Sequence, residues 1–313
     1  MDVEEFKNWI TEEIKKFVSE DPGNRLKQLD GSPIFEEPLV GFVAGNDPLF
    51  RKLKEVIGEF HLTPYEAMAK IAKERGVPIP SENDIGVISY ILPISKKTRK
   101  ENASMKDKPS KRWAHTRLFG EEFNRKLEAH MVSVLEEKGY FAVAPELEPS
   151  IFRMLKDEKV GWASPWSQRH VAFAANLGTF GLSDGLITEK GKAHRVGSVV
   201  VNQPLDSPER TTDIHRDCIF FQRGSCKRCA KRCPAGAITE EGHDKNKCQE
   251  FVFKQLPMIK EKYGINIYAC GLCQTAVPCE EEIPRKREKS EEKMKRRKEK
   301  REERRKRRKG KKE

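Results

Sequence analysis

Residues 226–238 read CKRCAKRCPAGAI, and the three cysteines in this stretch decide how the rest of the chain is read. Five more lie close by. All eight cysteines of the 313-residue chain, Cys218, Cys226, Cys229, Cys233, Cys248, Cys270, Cys273 and Cys279, fall within 62 residues. No run reaches the 18 apolar residues of a membrane span, and the start, MDVEEFKNWITEEIKK, is acidic where an export leader is basic and then apolar. A cytoplasmic protein is expected, with no membrane partner. In a reducing compartment crowded cysteines are metal ligands rather than disulfides.

Cys226-x2-Cys229-x3-Cys233-Pro matches the latter part of the bacterial ferredoxin run, in which the cysteine before proline ligates the other of two clusters. Four thiolates for each of two 4Fe-4S clusters use all eight cysteines. Carried over residue by residue, that topology gives Cys218, Cys226, Cys229 and Cys279 to one cluster and Cys233, Cys248, Cys270 and Cys273 to the other. Two spacings depart from the pattern. Seven residues, IFFQRGS, precede Cys226 where a ferredoxin has two, and Cys273-x5-Cys279 is followed by Glu280 instead of proline. Zinc is the rival, because Cys226-x2-Cys229 and Cys270-x2-Cys273 also fit zinc-ribbon knuckles. Zinc has no need of the x3-Cys-Pro element.

The net charge of +12 suggests a nucleic-acid binder until it is located. Residues 284–313 hold 19 Lys and Arg against 7 Glu, and the other 283 residues carry 42 charges of each sign. The tail is expected to be a solvated helix or disordered. It serves either solubility or as an electrostatic arm for tRNA or another polyanion. Without aromatic residues it has no means of base stacking.

Val3, Phe6, Ile10, Ile14 and Phe17 recur at helical spacing. LVGFVAG (39–45), DIGVISYILPIS (84–95) and YFAVA (140–144) read as strands. Helices are expected from about Asp47, from Thr63-Pro64 and from Arg117 to Lys138, with a polar loop from Lys96 to about Lys111. Ser164-Pro165 reads as a further helix start, and GLIT and RVGSVVV as short strands. Strands alternating with helices predict a three-layer α/β domain over residues 1–205, a cysteine-bearing domain over 206–283 and the tail over 284–313.

SPWSQRHVAFAANLGTFGL, GLIT, RVGSVVV and the cysteine array, in this order, resemble the family of epoxyqueuosine reductases and reductive dehalogenases over roughly residues 36–283. The resemblance implies a nitroreductase-like domain holding a cobalamin, joined to a ferredoxin-like domain with two 4Fe-4S clusters. It also implies anaerobic redox chemistry fed by a low-potential donor such as ferredoxin or flavodoxin. Epoxyqueuosine reductases carry an aspartate general acid shortly before this segment, and a gap-free register puts Trp162 there. His170, helped by Arg169, is nominated as the proton donor, against the alternative of a packing histidine. Trp166, Gly178, Gly181 and Thr188 are nominated as corrinoid contacts, against a core tryptophan and a plain backbone turn. Three functions follow: a corrinoid-using reductase of an unidentified substrate, an epoxyqueuosine reductase acting on tRNA, and an electron-transfer protein that reactivates the corrinoid of another enzyme.

Overall fold

The computed structural model describes residues 1–158 and 160–284. Helix α1 (Val3–Glu20) buries Phe6, Ile10 and Ile14 completely, and Asp2 and Glu5 close a reciprocal cap at its start. Strand β1 (Leu39–Ala44) leads into α2 (Pro48–Ile57), capped by Asp47. Helix α3 (Pro64–Arg75) begins at the Thr63-Pro64 signal, with Glu66 completing a capping box. Strand β2 (Gly86–Pro93) is buried at every position.

The expected polar loop at 96–111 is a correction. It contains helix α4 (Lys96–Ala103), and α5 (Lys111–Glu137) starts at Lys111 instead of near Arg117. KKTRKENA has no apolar period, yet Thr98, Arg99 and Asn102 are buried. They bury hydrogen bonds instead of surface. Arg99 Nη1 donates to the Ile94 carbonyl at 2.6 Å, while Asn102 Nδ2 donates to Thr275 Oγ1 at 3.2 Å and to the Cys270 carbonyl at 3.3 Å. The helix is polar because its buried side chains bond the Ile94 carbonyl and the backbone and side chains of the cysteine segment.

Strand β3 (Ala142–Val143) precedes a hairpin without a clear sequence signal, β4 (Leu155–Asp157) and β5 (Gly161–Ala163). Helix α6 (Gln168–Ala174) opens after Ser167 rather than at Ser164-Pro165. Then come the short pair β6 (Thr179–Phe180) and β7 (Leu186–Ile187), and the long strand β8 (His194–Val201). The main sheet runs β1-β2-β8-β3 with every pair antiparallel. Because side chains alternate across a sheet, Ile88, Tyr90 and Leu92 join α1 and α5 in one core. Val43, Val87 and Val200 join α2, α3 and α6 in another. Helices therefore cover both faces of this mixed α/β sheet.

The cysteine segment consists of α7 (Ile219–Arg223), α8 (Arg228–Lys231), the hairpin β9 (Ile238–Thr239) and β10 (Gly242–His243), α9 (Lys245–Lys254) and α10 (Leu256–Tyr263). Ile259 and Ala269 belong to the same core as α1 and α5. Gly271 lies flat on the Trp113 indole, where a Cβ would stand 2.0 Å from the ring. Met1–Ile283 pack as one compact unit. The tail read at 284–313 lies, Pro284 apart, outside the described residues. Among those residues no helix is long and apolar enough to cross a membrane.

Gly197 faces Tyr90 across β2 and β8, and a Cβ there would stand 2.2 Å from the tyrosine hydroxyl. That hydroxyl donates to Asn124 Oδ1 at 3.0 Å inside the core. Gly197→Ala should cost about 1–3 kcal/mol through overpacking. In urea the midpoint should fall with the slope unchanged; an unmoved midpoint would contradict this packing.

Candidate redox site

Cys218 stands at the N-terminus of α7, Cys226 and Cys229 flank the start of α8, and Cys233 follows it. Cys248 sits on α9. Cys270 precedes Gly271, whose left-handed backbone (φ 64°) turns the chain toward Cys273 and Cys279. All eight are free thiols, with Cys218 and Cys229 buried and the others half-buried. Their mutual electrostatic influence sorts them into two groups. Cys279 feels Cys229, Cys218 and Cys226, whereas Cys270 feels Cys273, Cys248 and Cys233; Cys273 and Cys229 link the groups. Burial pushes Cys248 and Cys279 up to about 11 and Cys270 up to about 12. Here a thiol keeps its proton unless a cation replaces it. Among the described residues, no three or more His, Cys, Asp or Glu side chains are arranged to hold a metal ion.

Cys233, Cys248, Cys270 and Cys273 line a cavity of about 470 Å³ together with Glu146, Gln168, Arg169 and Arg195. A buried relay orients Gln168. Trp166 Nε1 donates to Ser198 Oγ at 3.0 Å, Ser198 Oγ donates to Gln168 Oε1 at 2.6 Å, and Gln168 Nε2 donates to Glu128 Oε1 at 3.0 Å. Each link sets the next, so the Gln168 amide can point only one way. Glu128 is fully buried, and its Oε2 has no hydrogen-bond partner. Burial and the nearby Glu146 hold Glu128 well above the ordinary carboxylate range. Burial and Glu121 push Glu146 up to about 7. Neither acid was nominated from sequence; the available signal was Glu128 one position after Leu127 on the buried side of α5.

On the other side of α6 lies a larger cavity of about 910 Å³, lined in part by Trp162, Ser167, Arg169, His170, Asp184 and Lys245. Arg169 lines both cavities. Its Nη1 donates to the Asp184 carbonyl. Burial would raise the Asp184 carboxyl, but the hydrogen bond from His243 and the charges of His243 and Arg169 outweigh it and hold it low. His170 Nδ1 and Ser167 Oγ share a hydrogen bond of 2.7 Å. Burial and the Arg169 charge push His170 down to about 3, so its imidazole is neutral at neutral pH. Buried His61 accepts from the Ser167 amide at 3.2 Å and is pushed by burial down to about 4.

Arg169 and His170 are thus brought together on a cavity wall, whereas Trp166, Gly178, Gly181 and Thr188 line neither cavity. Trp166 is a core residue, 1 % exposed. A Cβ on Gly178 would stand 2.3 Å from the Ile187 carbonyl oxygen. The Gly181 amide donates to Gly185 at 2.9 Å, and Thr188 Oγ1 donates to the Gly191 carbonyl at 2.8 Å. The glycine spacing reflects two backbones in close contact. The tryptophan that does reach a cavity is Trp162.

No model of a protein family matches the chain. An epoxyqueuosine reductase of Bacillus anthracis is 32 % identical over 118 residues, 36 % of this chain and 29 % of that protein. The chain therefore spans less than a third of that curated relative. A solved epoxyqueuosine reductase with an epoxyqueuosine-modified tRNA-Tyr stem loop is 19 % identical, with a TM-score of 0.47, over 89 % of this chain and 66 % of that one. A catabolic reductive dehalogenase with 3-bromo-4-hydroxybenzoic acid is 17 % identical, with a TM-score of 0.49, over 78 % and 30 %. The likeness in sequence is to epoxyqueuosine reductases, over 36 % of this chain.

Glu128 and Glu146 bind protons more tightly folded than unfolded. The stability they contribute is complete below the unfolded carboxylate value of 4.5 and is lost as pH rises through about 7 for Glu146. Arg195 and Arg125 oppose the shift of Glu146, and Glu121 reinforces it. Across about pH 6–8 the wild type should lose more stability than Glu128→Gln. Parallel urea midpoints for the two proteins would refute the coupling.

Proposed function

We propose that the chain is an iron–sulfur reductase. The cysteines of the ferredoxin-like part, 206–283, would hold two 4Fe-4S clusters, which would supply electrons from a low-potential carrier such as ferredoxin or flavodoxin to a substrate held by the nitroreductase-like part, 1–205. The observation that carries this reading is that Cys233, Cys248, Cys270 and Cys273, drawn from across the window, line one cavity. Cys218, Cys226, Cys229 and Cys279 would hold the other cluster. Each iron of such a cluster takes one thiolate, so the sulfurs surround a group and not a single ion. The thiols of the second set face a cavity that also contains an acid. An anaerobic, cytoplasmic setting suits this chemistry.

Glu146 is the proton donor in this reading. A carboxyl titrating near 7 holds a proton at working pH and regains it after giving it up. The neutral His170 and its neighbour Arg169 are assigned to binding. The resemblance brings a corrinoid with it, and Arg169 is the residue around which it would be held. Gln168 and Arg195 on the thiol side, with Ser167 and Lys245 on the other, are donors suited to its amide-bearing rim. Bound there, it would supply a cobalt centre that accepts electrons from the second cluster.

A second reading is epoxyqueuosine reduction on tRNA, favoured by the curated match and by Glu146, which supplies the carboxylic acid missing from the gap-free register. The 19 basic residues of the tail would meet the polyanion.

Anaerobic purification should return about eight irons and eight sulfides per chain. Zinc in place of iron would overturn the reading. Glu146→Gln should lower turnover roughly 10²-fold or more while cluster reduction by dithionite stays at the wild-type rate. Unchanged epoxyqueuosine tRNA in the presence of cobalamin and reductant would eliminate the tRNA reading. Iron without cobalamin affinity or turnover would leave an electron carrier.

A further inference from the structure

Lys192 precedes β8 and is 3 % exposed. Its Nζ donates to Ser183 Oγ, and its backbone amide donates to the Cys279 carbonyl at 2.9 Å. The side chain runs over Gly185, where a Cβ would stand 3.0 Å from Lys192 Cε and 3.5 Å from Nζ. It lines the same cavity as Cys233, Cys248, Cys270 and Cys273. Its charge acts on Cys279, Cys273, Cys229 and Cys218, three from one set and one from the other. Among the described residues it makes no ion pair with a carboxylate.

An ammonium group this deeply buried needs a counter-charge. One hydroxyl does not supply it. The groups around it that can do so are thiolates, and both sets contribute. An iron–sulfur cluster with four thiolates is anionic and gains a further negative charge on reduction, so a fixed cation nearby favours the reduced form. We propose that Lys192 is the counter-ion shared by both clusters and raises the reduction potentials of the pair. In each reduction step one electron from the low-potential carrier enters a cluster, no bond forms or breaks, and Lys192 stays protonated. The inference rests on the two-cluster reading and adds to it the residue that tunes the electron path.

The test compares Lys192→Met, Lys192→Gln and Lys192→Arg with the wild type, each purified anaerobically. Iron content is measured, and both cluster signals are followed by electron paramagnetic resonance during a redox titration. Lys192→Met should move the potentials to more negative values, making reduction at least tenfold less favourable, ~59 mV for a one-electron couple. Lys192→Arg should stay near the wild type. Lys227→Met removes a lysine beside Cys226 whose side chain is 38 % exposed and pairs with Glu240, and it should shift the potentials less. Wild-type iron content with unmoved potentials in Lys192→Met overturns the inference. Iron lost from both neutral variants but kept in Lys192→Arg supports it, because charge is then what matters; iron lost from all three overturns it in favour of packing. A wild type without iron fails the two-cluster reading itself and is recognised before any variant is compared.

Discussion

The contact on which the rest depends is the return of the chain from its last cysteine to the start of β8. The Lys192 amide donates to the Cys279 carbonyl at 2.9 Å and the Ala193 amide to Glu280 at 3.3 Å. Gly191 allows this approach: a Cβ there would stand 2.3 Å from the Glu280 carbonyl oxygen, and its φ of 78° already favours glycine. Near this short join Cys279 packs in one hydrophobic cluster with Cys218 and Cys229. The same join places the buried Lys192 on the cavity lined by Cys233, Cys248, Cys270 and Cys273. Sheet and cysteine segment are therefore linked by backbone as well as by a shared core.

Much of the frame was legible because burial leaves a period in the sequence. Phe6, Ile10 and Ile14 marked α1, Thr63-Pro64 marked α3, and the apolar run at 84–95 is the fully buried β2. The elements that escaped are those stabilised by polar burial. Helix α4 has no apolar stripe, and its buried Asn102 gains meaning only when the distant Cys270 carbonyl and Thr275 hydroxyl arrive. The hairpin at 155–163 is too short and too exposed to leave an alternating pattern.

The site divides along the same physical line. The cysteines are legible because their spacing within short runs is a pattern that thiolate ligation would impose. Glu128 and Glu146 are not, because a glutamate on an amphipathic helix or in a loop has the same letter whether solvated or sealed in. Residues 169 and 170 were nominated through their neighbours, yet His170 is held neutral by burial and then by the charge of Arg169, the residue expected to assist it. The spacing of Gly178 and Gly181 goes with close approaches inside the fold, of Gly178 to the Ile187 carbonyl and of Gly181 to the Ile187 side chain.

The polar bonds of α4 have a consequence for how the protein is inherited and engineered. Asn102 binds Cys270 and Thr275, the Trp113 ring covers Gly271, and the Tyr263 hydroxyl donates to Pro109 at 2.8 Å. A gene cut after residue 205 would encode a fragment with stranded amides and a bare indole. The cysteine segment is thus not an interchangeable cassette like a free-standing ferredoxin. Any recombination that replaces it must carry residues 96–117 with it, and the two stretches are bound to diverge as a pair.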